Sequence, residues 1–341
     1  MSGGRVVRIA EEIEDALAED RPVVGLETAV LTHGLPRTGG PRPSSLDPSR
    51  IAGSRLGDFA WDPEAPLNLQ SVRAVGRAVR ESGAVPAVTA MIRGTLRIGL
   101  DDDELEELAL DESAAKVSAR DLGSVAAAGR NAGTTVAGSL RACRLAAPRP
   151  IRVFATGGIG GVHRGWQSRP DISGDLRALA TEPVAVVAAG AKVILDVTAT
   201  LEALDSLGVP VIGCATDRMP IFTAGVHAEL RVPHRLDEPD DIALACRRHW
   251  NDFGLSSGVL VANPCPPDAS ADASRLDALV DASLAEASAL GIDGADVTPF
   301  LLASMAEAEG TVDPLDANIA LLVANASLAA RIAIAMVDCR E

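Results

Sequence analysis

The run Val184-Ala-Val-Val-Ala-Ala-Gly-Ala-Lys-Val-Ile-Leu-Asp196 constrains this chain more than any other stretch. It reads as a buried strand entering a glycine turn, with one amine, Lys192, set among apolar residues. Short apolar runs of the same kind recur at Pro22–Leu26, Pro86–Ile92, Arg152–Ala155, Pro210–Gly213 and Gly258–Ala262. Segments of helical periodicity separate them. Strands alternating with helices predict an α/β fold, three layers deep (α/β/α), around a central mixed, largely parallel sheet. No internal repeat and no linker divides residues 1–341. A single domain is expected, with a Pro/Gly-rich insertion at about 37–69.

The amine stands out against the rest of the composition. Of the 31 basic residues only Lys116 and Lys192 are lysines, and the other 29 are arginine. Arginine stays protonated, whereas a desolvated lysine can lose its proton and attack an electrophilic carbon. Drift in an arginine-rich background is the bland alternative, and the lysine by itself does not choose between them.

Hydrophobic residues make up 47% of the chain and aromatics only 2%, with no tyrosine, so Ala, Val, Leu and Ile must build the core. A net charge of −16 and a pI near 4.8 argue against nucleic acid as partner, while leaving room for a local basic pocket. Five scattered cysteines without CxxC spacing suggest buried thiols rather than a zinc site or disulfides. The N-terminus leads into an acidic amphipathic helix over 5–18 rather than a signal peptide. The apolar late segment Asn318–Val337 is interrupted by Asn325, Ser327 and Arg331, a poor membrane span. A cytoplasmic soluble protein is expected.

Glu27-Thr28 follows the strand at 22–26, at the end where α/β sheets place ligand contacts, and Glu27 is either an acid or a helix cap. The segment 37–69 lacks periodicity and is read as a long loop, a lid or disorder. A helix is expected over 71–82, a strand over 86–92 and a partner strand over 96–100. Asp101-Asp-Asp-Glu104 opens an acidic helix, a solvated face rather than a metal site. Gly133-Thr-Thr-Val136 opens another, with hydroxyls and main-chain amides of the kind that hold phosphate. Thr156-Gly-Gly-Ile-Gly-Gly-Val-His-Arg-Gly165 is a ligand loop or a structural turn, and the His and Arg beside it favour the former. Asp171 and Asp175 stand at the start of a helix: capping explains Asp171, while a metal or sugar hydroxyl explains the pair. Helices over 201–208, 271–289, 297–309 and 315–337 complete the pattern.

These pieces are collinear with a known family. Gly25-Leu-Glu-Thr28, Thr32-His-Gly-Leu-Pro36, Lys116-Val-Ser-Ala-Arg-Asp-Leu122 and Gly133-Thr-Thr-Val136 belong to the set, as do residues 153–165, Asp171-Ile-Ser-Gly-Asp-Leu176 and Ala189-Gly-Ala-Lys192. Leu207–Gly213, Leu260–Pro264, Thr298–Leu302 and Asn318–Leu321 continue it. The chain resembles the pseudouridine-5′-phosphate glycosidase family, the group that also includes indigoidine synthase A-like proteins, over nearly its whole length except 37–69.

The resemblance implies a homotrimeric enzyme using a divalent cation, typically manganese (Mn2+). Such an enzyme reversibly cleaves the C–C glycosidic bond of pseudouridine 5′-phosphate to uracil and ribose 5-phosphate. By the same resemblance Lys192 is the nucleophile that binds sugar C1′ and Glu27 the acid that protonates the departing uracil carbon. Lys116, Val136, Ser173, Gly174 and Asp175 contact the phosphate and substrate, Asp171 holds the metal, and Asn318 lies near the base. A C–C bond lacks the basic leaving atom that paired-carboxylate glycosidases protonate, so a lysine adduct is the sounder design. Desolvation among apolar residues would lower the Lys192 pKa, whereas Lys116 must stay charged.

The chain departs from the family at the 37–69 insertion, at Trp166, at Pro267 where an acidic residue is usual, and at Gly174 where alanine is common. These bear on the aglycone more than on the reaction. Two alternatives follow: a C-glycosynthase joining ribose 5-phosphate to another acceptor, and a non-catalytic phosphosugar-binding protein.

Overall fold

In the computed structural model the described residues are 6–46, 59–168, 170–192, 194–222, 225–266, 273–292, 300–301 and 314–338. Thirteen strands lie among them. They are β1 (Val7–Ile9), β2 (Val23–Leu26), β3 (Val85–Ile92), β4 (Thr95–Ile98), β5 (Ala115–Val117), β6 (Ala132–Thr134) and β7 (Val153–Ala155). They continue with β8 (Ala185–Ala188), β9 (Val211–Cys214), β10 (Arg218–Pro220), β11 (Val226–Arg231), β12 (His234–Leu236) and β13 (Val259–Ala262). The main sheet runs β1-β4-β3-β2-β7-β8-β13-β9-β12, with β6 also on β3 and β5 on β6. Its central pairs β2–β7, β7–β8, β8–β13 and β13–β9 are parallel, while β3–β4 and β3–β6 are antiparallel. The predicted mixed, largely parallel sheet is present.

The three layers follow from side-chain alternation along strands buried on both faces. On β7, Val153 and Ala155 enter one core and Phe154 the other; on β8, Ala185 and Val187 oppose Val186 and Ala188. The first core is covered by α2 (Leu67–Glu81), α3 (Asp102–Leu110), α8 (Pro239–Arg247) and α10 (Pro314–Asp338). The second is covered by α1 (Glu11–Ala18), α5 (Val136–Leu145), α6 (Gly174–Thr181) and α7 (Val197–Ser206), joined by Val280 of α9 (Ala273–Ala289). A short α4 (Leu122–Ala127) lies between β5 and β6.

Several predicted boundaries move. The helix expected over 5–18 begins only at Glu11, because Val7–Ile9 form an edge strand parallel to β4. Three residues are too few to display a period of two. The helix predicted from Ser71 begins at Leu67, within the last residues of the insertion, and Asn68 and Gln70 anchor its first turn. Asn68 donates to Leu31 O at 2.8 Å, and Gln70 to Asp62 O at 2.6 Å. The hairpin β3–β4 turns on Arg93 and Gly94, both at positive φ, as a tight two-residue turn requires. Asp101 and Glu104 form a reciprocal cap on α3, so the acidic run is structural. Of the helix expected over 297–309 only residues 300–301 are described, and Pro267 and residues 47–58 also lie outside the described residues.

One helix, Leu315–Asp338, is long and apolar enough to cross a membrane, and 83% of its most apolar window is buried. It is the central covering helix of the first core. The four described cysteines, Cys143, Cys214, Cys246 and Cys265, are buried.

Candidate active site

Four adjacent parallel strands, β2, β7, β8 and β13, end on one edge of the sheet, and each end carries a polar element of the site. These are Glu27 after β2, Thr156 and the glycine loop after β7, Lys192 beyond β8, and Asn263 after β13. Lys192 lies on the loop past the strand, not on the strand as the apolar run suggested. Gly190 makes that exit possible. It has φ +82°, and a Cβ there would stand 2.0 Å from Pro220 O. Ile159 N donates to Gly190 O at 3.0 Å and Lys192 N to Ile159 O at 3.3 Å, tying the turn to the glycine loop.

Glu27 is half-buried and accepts from the Thr156 hydroxyl. Burial raises its pKa above the usual carboxylate value; Lys192 is the first influence opposing that rise, followed by the Thr156 bond, and Lys116 also pulls down while Asp175 pushes up. Lys116, exposed on β5, has a pKa held below the usual lysine value by the surrounding protein and by Lys192, against Glu27 and Asp175. Lys192 and Asp175 act on both groups, and Glu27 and Lys116 act on each other, so the four charges lie within electrostatic reach of one another.

A buried hydroxyl network sets the distance between β2 and the strands that carry Lys116 and the start of α5. Thr28 Oγ1 donates to Thr89 O at 2.7 Å, Thr134 N donates to Thr28 Oγ1 at 3.1 Å, and Thr134 Oγ1 donates to Thr89 O at 2.6 Å. All three threonines are fully buried. The Thr134 hydroxyl is thus spent inside the protein, and Thr135 caps α5. Gly133 is dictated by contact, since a Cβ would lie 2.3 Å from Thr32 Oγ1.

The glycine loop is also built by packing. A Cβ at Gly157 or Gly158 would meet the Phe222 ring at 2.8 Å, at Gly160 Ser173 Oγ at 2.3 Å, and at Gly161 Thr200 Oγ1 at 2.3 Å. These contacts account for four glycines without a ligand. They also bring the loop against α6, where Asp175 acts as a brace. Its Oδ1 accepts from Ala137 N at 3.0 Å and its Oδ2 from Gly160 N at 2.9 Å. This 8% exposed carboxylate ties together the N-terminal turns of α5 and α6 and the loop. Val136, the buried first residue of α5, Ser173, the cap of α6, and Gly174, its first residue, are gathered around it.

Asp171 does not cap α6; Ser173 does, accepting from Asp175 N at 3.2 Å. Asp171 precedes the helix with a side chain 55% exposed, 3.8 Å from His163 Nδ1. Among the described residues no three His, Cys, Asp or Glu side chains gather as a metal cage. An exposed carboxylate of this kind fits a hard divalent cation that keeps most of its water. Asn318 lies in the second turn of α10, half-buried between the buried Ala317 and Ile319.

Sequence reading gave no role to Thr156, Asn263 or Asn325. Asn325, 1% exposed, donates to Thr156 O at 2.7 Å and accepts from Asn263 Nδ2 at 2.9 Å. An amide in the middle of an otherwise apolar helix was the available signal, because a buried polar group requires a partner.

Residues 63–335 match the family model described as Indigoidine synthase A like protein. The pseudouridine-5′-phosphate glycosidase of Paracoccus denitrificans (strain Pd 1222) is 44% identical over 334 residues, covering 97% of this chain and 98% of its own. That of Geobacillus kaustophilus (strain HTA426) is 41% identical over 324 residues, covering 95% and 96%. Among solved structures, the prealnumycin C-glycosynthase AlnA in complex with ribulose 5-phosphate superposes with a TM-score of 0.80 at 32% identity, over 98% of both chains. An indigoidine synthase A (IdgA)-like protein from Thermotoga maritima gives 0.77 at 31% identity, also over 98% of both. With residues 63–335 matched to that model and relatives 44% and 41% identical over nearly the full chain, the chain belongs to the indigoidine synthase A-like family.

Proposed function

We propose that this protein is a pseudouridine-5′-phosphate glycosidase, an enzyme that reversibly splits its substrate into uracil and ribose 5-phosphate. The observation that carries the reading is the meeting of one amine, Lys192, and one burial-raised carboxyl, Glu27, on one sheet edge, with a second lysine, Lys116 on β5, in their field. It is supported by relatives of that name at 44% and 41% identity over nearly the full chain.

In this reading Lys116 and the amides at the start of α5 and α6 bind the phosphate, with Asp175 fixing their spacing. The ribose ring opens, the C1′–O4′ bond breaking as O4′ takes a proton. The Lys192 amine then bonds to C1′ and gives up a proton, offsetting the one O4′ took, so that its nitrogen keeps a lone pair. Glu27, protonated, delivers its proton to the uracil carbon, and the Lys192 nitrogen pair expels that carbon as the C1′–C bond breaks. The resulting C1′ iminium on Lys192 takes up water to release ribose 5-phosphate and the free amine. Asp171 would hold a divalent cation, manganese in our reading. When bound, the cation supplies positive charge that offsets developing negative charge in the pocket. A homotrimer is our proposed assembly, to be measured by light scattering.

A second reading is a C-glycosynthase, running the same adduct toward a different acceptor. The likeness to AlnA and the insertion, whose Ser44 donates to Asp316 two residues before Asn318, favour it. One experiment separates the readings. Manganese-loaded protein is incubated with pseudouridine 5′-phosphate, and uracil and ribose 5-phosphate are quantified. Ribose 5-phosphate trapped on Lys192 by borohydride without cleavage of pseudouridine 5′-phosphate would select the synthase; absence of both would reject both.

A further inference from the structure

We infer that Thr156 is a positioning residue for Glu27, locked in place by Asn325, and that it assigns the acid proton to Glu27 Oε2. The inference rests on the glycosidase reading above and adds residues to which that reading gives no part.

Thr156 is 2% exposed, and its two main-chain hydrogen-bonding groups are both engaged. Its amide donates to Val187 O on β8 at 3.1 Å, and its carbonyl accepts from Asn325 Nδ2 on α10 at 2.7 Å. Asn325 is held in turn: its Oδ1 accepts from Asn263 Nδ2, and Asn263 N donates to Ala188 O at 2.9 Å. Two strands and the longest described helix therefore fix one threonine, whose side-chain oxygen reaches Glu27 Oε1.

A hydroxyl has a single hydrogen, and here it is committed to Oε1. In a neutral carboxyl the oxygen that accepts a hydrogen bond is the carbonyl oxygen, so the acidic hydrogen belongs on Oε2. Without this tether the carboxyl could rotate and present either oxygen. A displacement of about 1 Å at a reacting group can cost roughly 100-fold in rate. The same bond favours the ionised form of Glu27 and partly offsets burial.

The test compares Thr156→Val, which keeps the shape and loses the hydroxyl, with Thr156→Ser, which restores it. The Glu27 carboxyl is followed by 13C NMR titration, assigned by its loss in Glu27→Gln, and kcat and KM are measured for pseudouridine 5′-phosphate. Thr156→Val should raise the Glu27 midpoint and lower kcat by about 100-fold with little change in KM, and Thr156→Ser should restore both. Borohydride trapping of ribose 5-phosphate on Lys192 should persist in both variants, because forming that adduct does not use the Glu27 proton. An unchanged Glu27 midpoint in Thr156→Val overturns the inference, as does a serine variant impaired like valine. Trapping lost together with cleavage would show that the hydroxyl supports the pocket at large, which also overturns it. The titration needs no turnover, so it decides the inference even if the parent protein fails to cleave the substrate.

Discussion

Asp171 and Asp175 stand four residues apart and occupy opposite regimes. Asp175 is 8% exposed, and both its oxygens receive main-chain amides. Asp171 has a side chain 55% exposed, 3.8 Å from His163 Nδ1. The first belongs to an interior region in which the polar groups of Glu27, Thr156, Asn325 and the threonine network satisfy one another. The second belongs to a rim where water satisfies the carboxylate. A buried carboxylate is tolerated only when its lone pairs are used, which makes it part of the frame. An exposed one can exchange water for a ligand without disturbing that frame. The site therefore divides into a fixed interior that holds Glu27 and its partners in register and an open rim where, in the proposed reading, Asp171 would take a cation.

Substitutions can test that division. The largest effect is expected from Lys192→Arg, which keeps a charge but removes the nucleophile. Turnover should fall by more than about 10³-fold with the fold intact by circular dichroism. Activity within a few-fold of the parent would remove Lys192 from the mechanism. Next comes Gly190→Ala, which needs a positive φ and places a methyl 2.0 Å from Pro220 O. It should destabilise the protein by about 3 kcal/mol in urea unfolding and lower activity by moving Lys192.

Asp175→Asn should cost about 2 kcal/mol, since an amide NH2 would face a main-chain N–H. It also changes the pH profile in a defined direction. The Asp175 charge raises the Glu27 pKa, so removing it lowers that pKa. Glu27 then ionises at lower pH, and the alkaline loss of acid catalysis begins earlier than in the parent. A limb that stays put or moves upward would contradict this electrostatic coupling. The smallest effect on stability is expected from Asp171→Asn, within about 0.5 kcal/mol, because the side chain is exposed. Its activation by manganese should nevertheless weaken by roughly tenfold or more. A large stability loss there would erase the contrast between rim and interior.

Much of this was legible in the sequence. Apolar runs ending in glycine or polar residues placed β2, β7, β8 and β13, and with them the edge on which Glu27 and Lys192 meet. The scarcity of lysine singled out Lys116 and Lys192 before any contact was known, and the structure places both within the field of Glu27. The glycine loop was legible as special, but its cause was not. Its glycines answer to Phe222, Ser173, Asp175 and Thr200, residues 13 to 65 positions away in the chain. Ser173 rather than Asp171 caps α6, a choice made by where the chain enters the helix and not by residue type. Val7–Ile9 became a strand only because β4 offered an edge to pair with.

By itself the sequence determined the fold class, the order of the elements and the chemical groups available, because burial period and residue chemistry are local properties. Which groups became frame and which stayed open to ligand was decided by the tertiary structure. A carboxylate or threonine in this chain has the same intrinsic chemistry at every position, and its role depends on the partners and the water that packing leaves beside it.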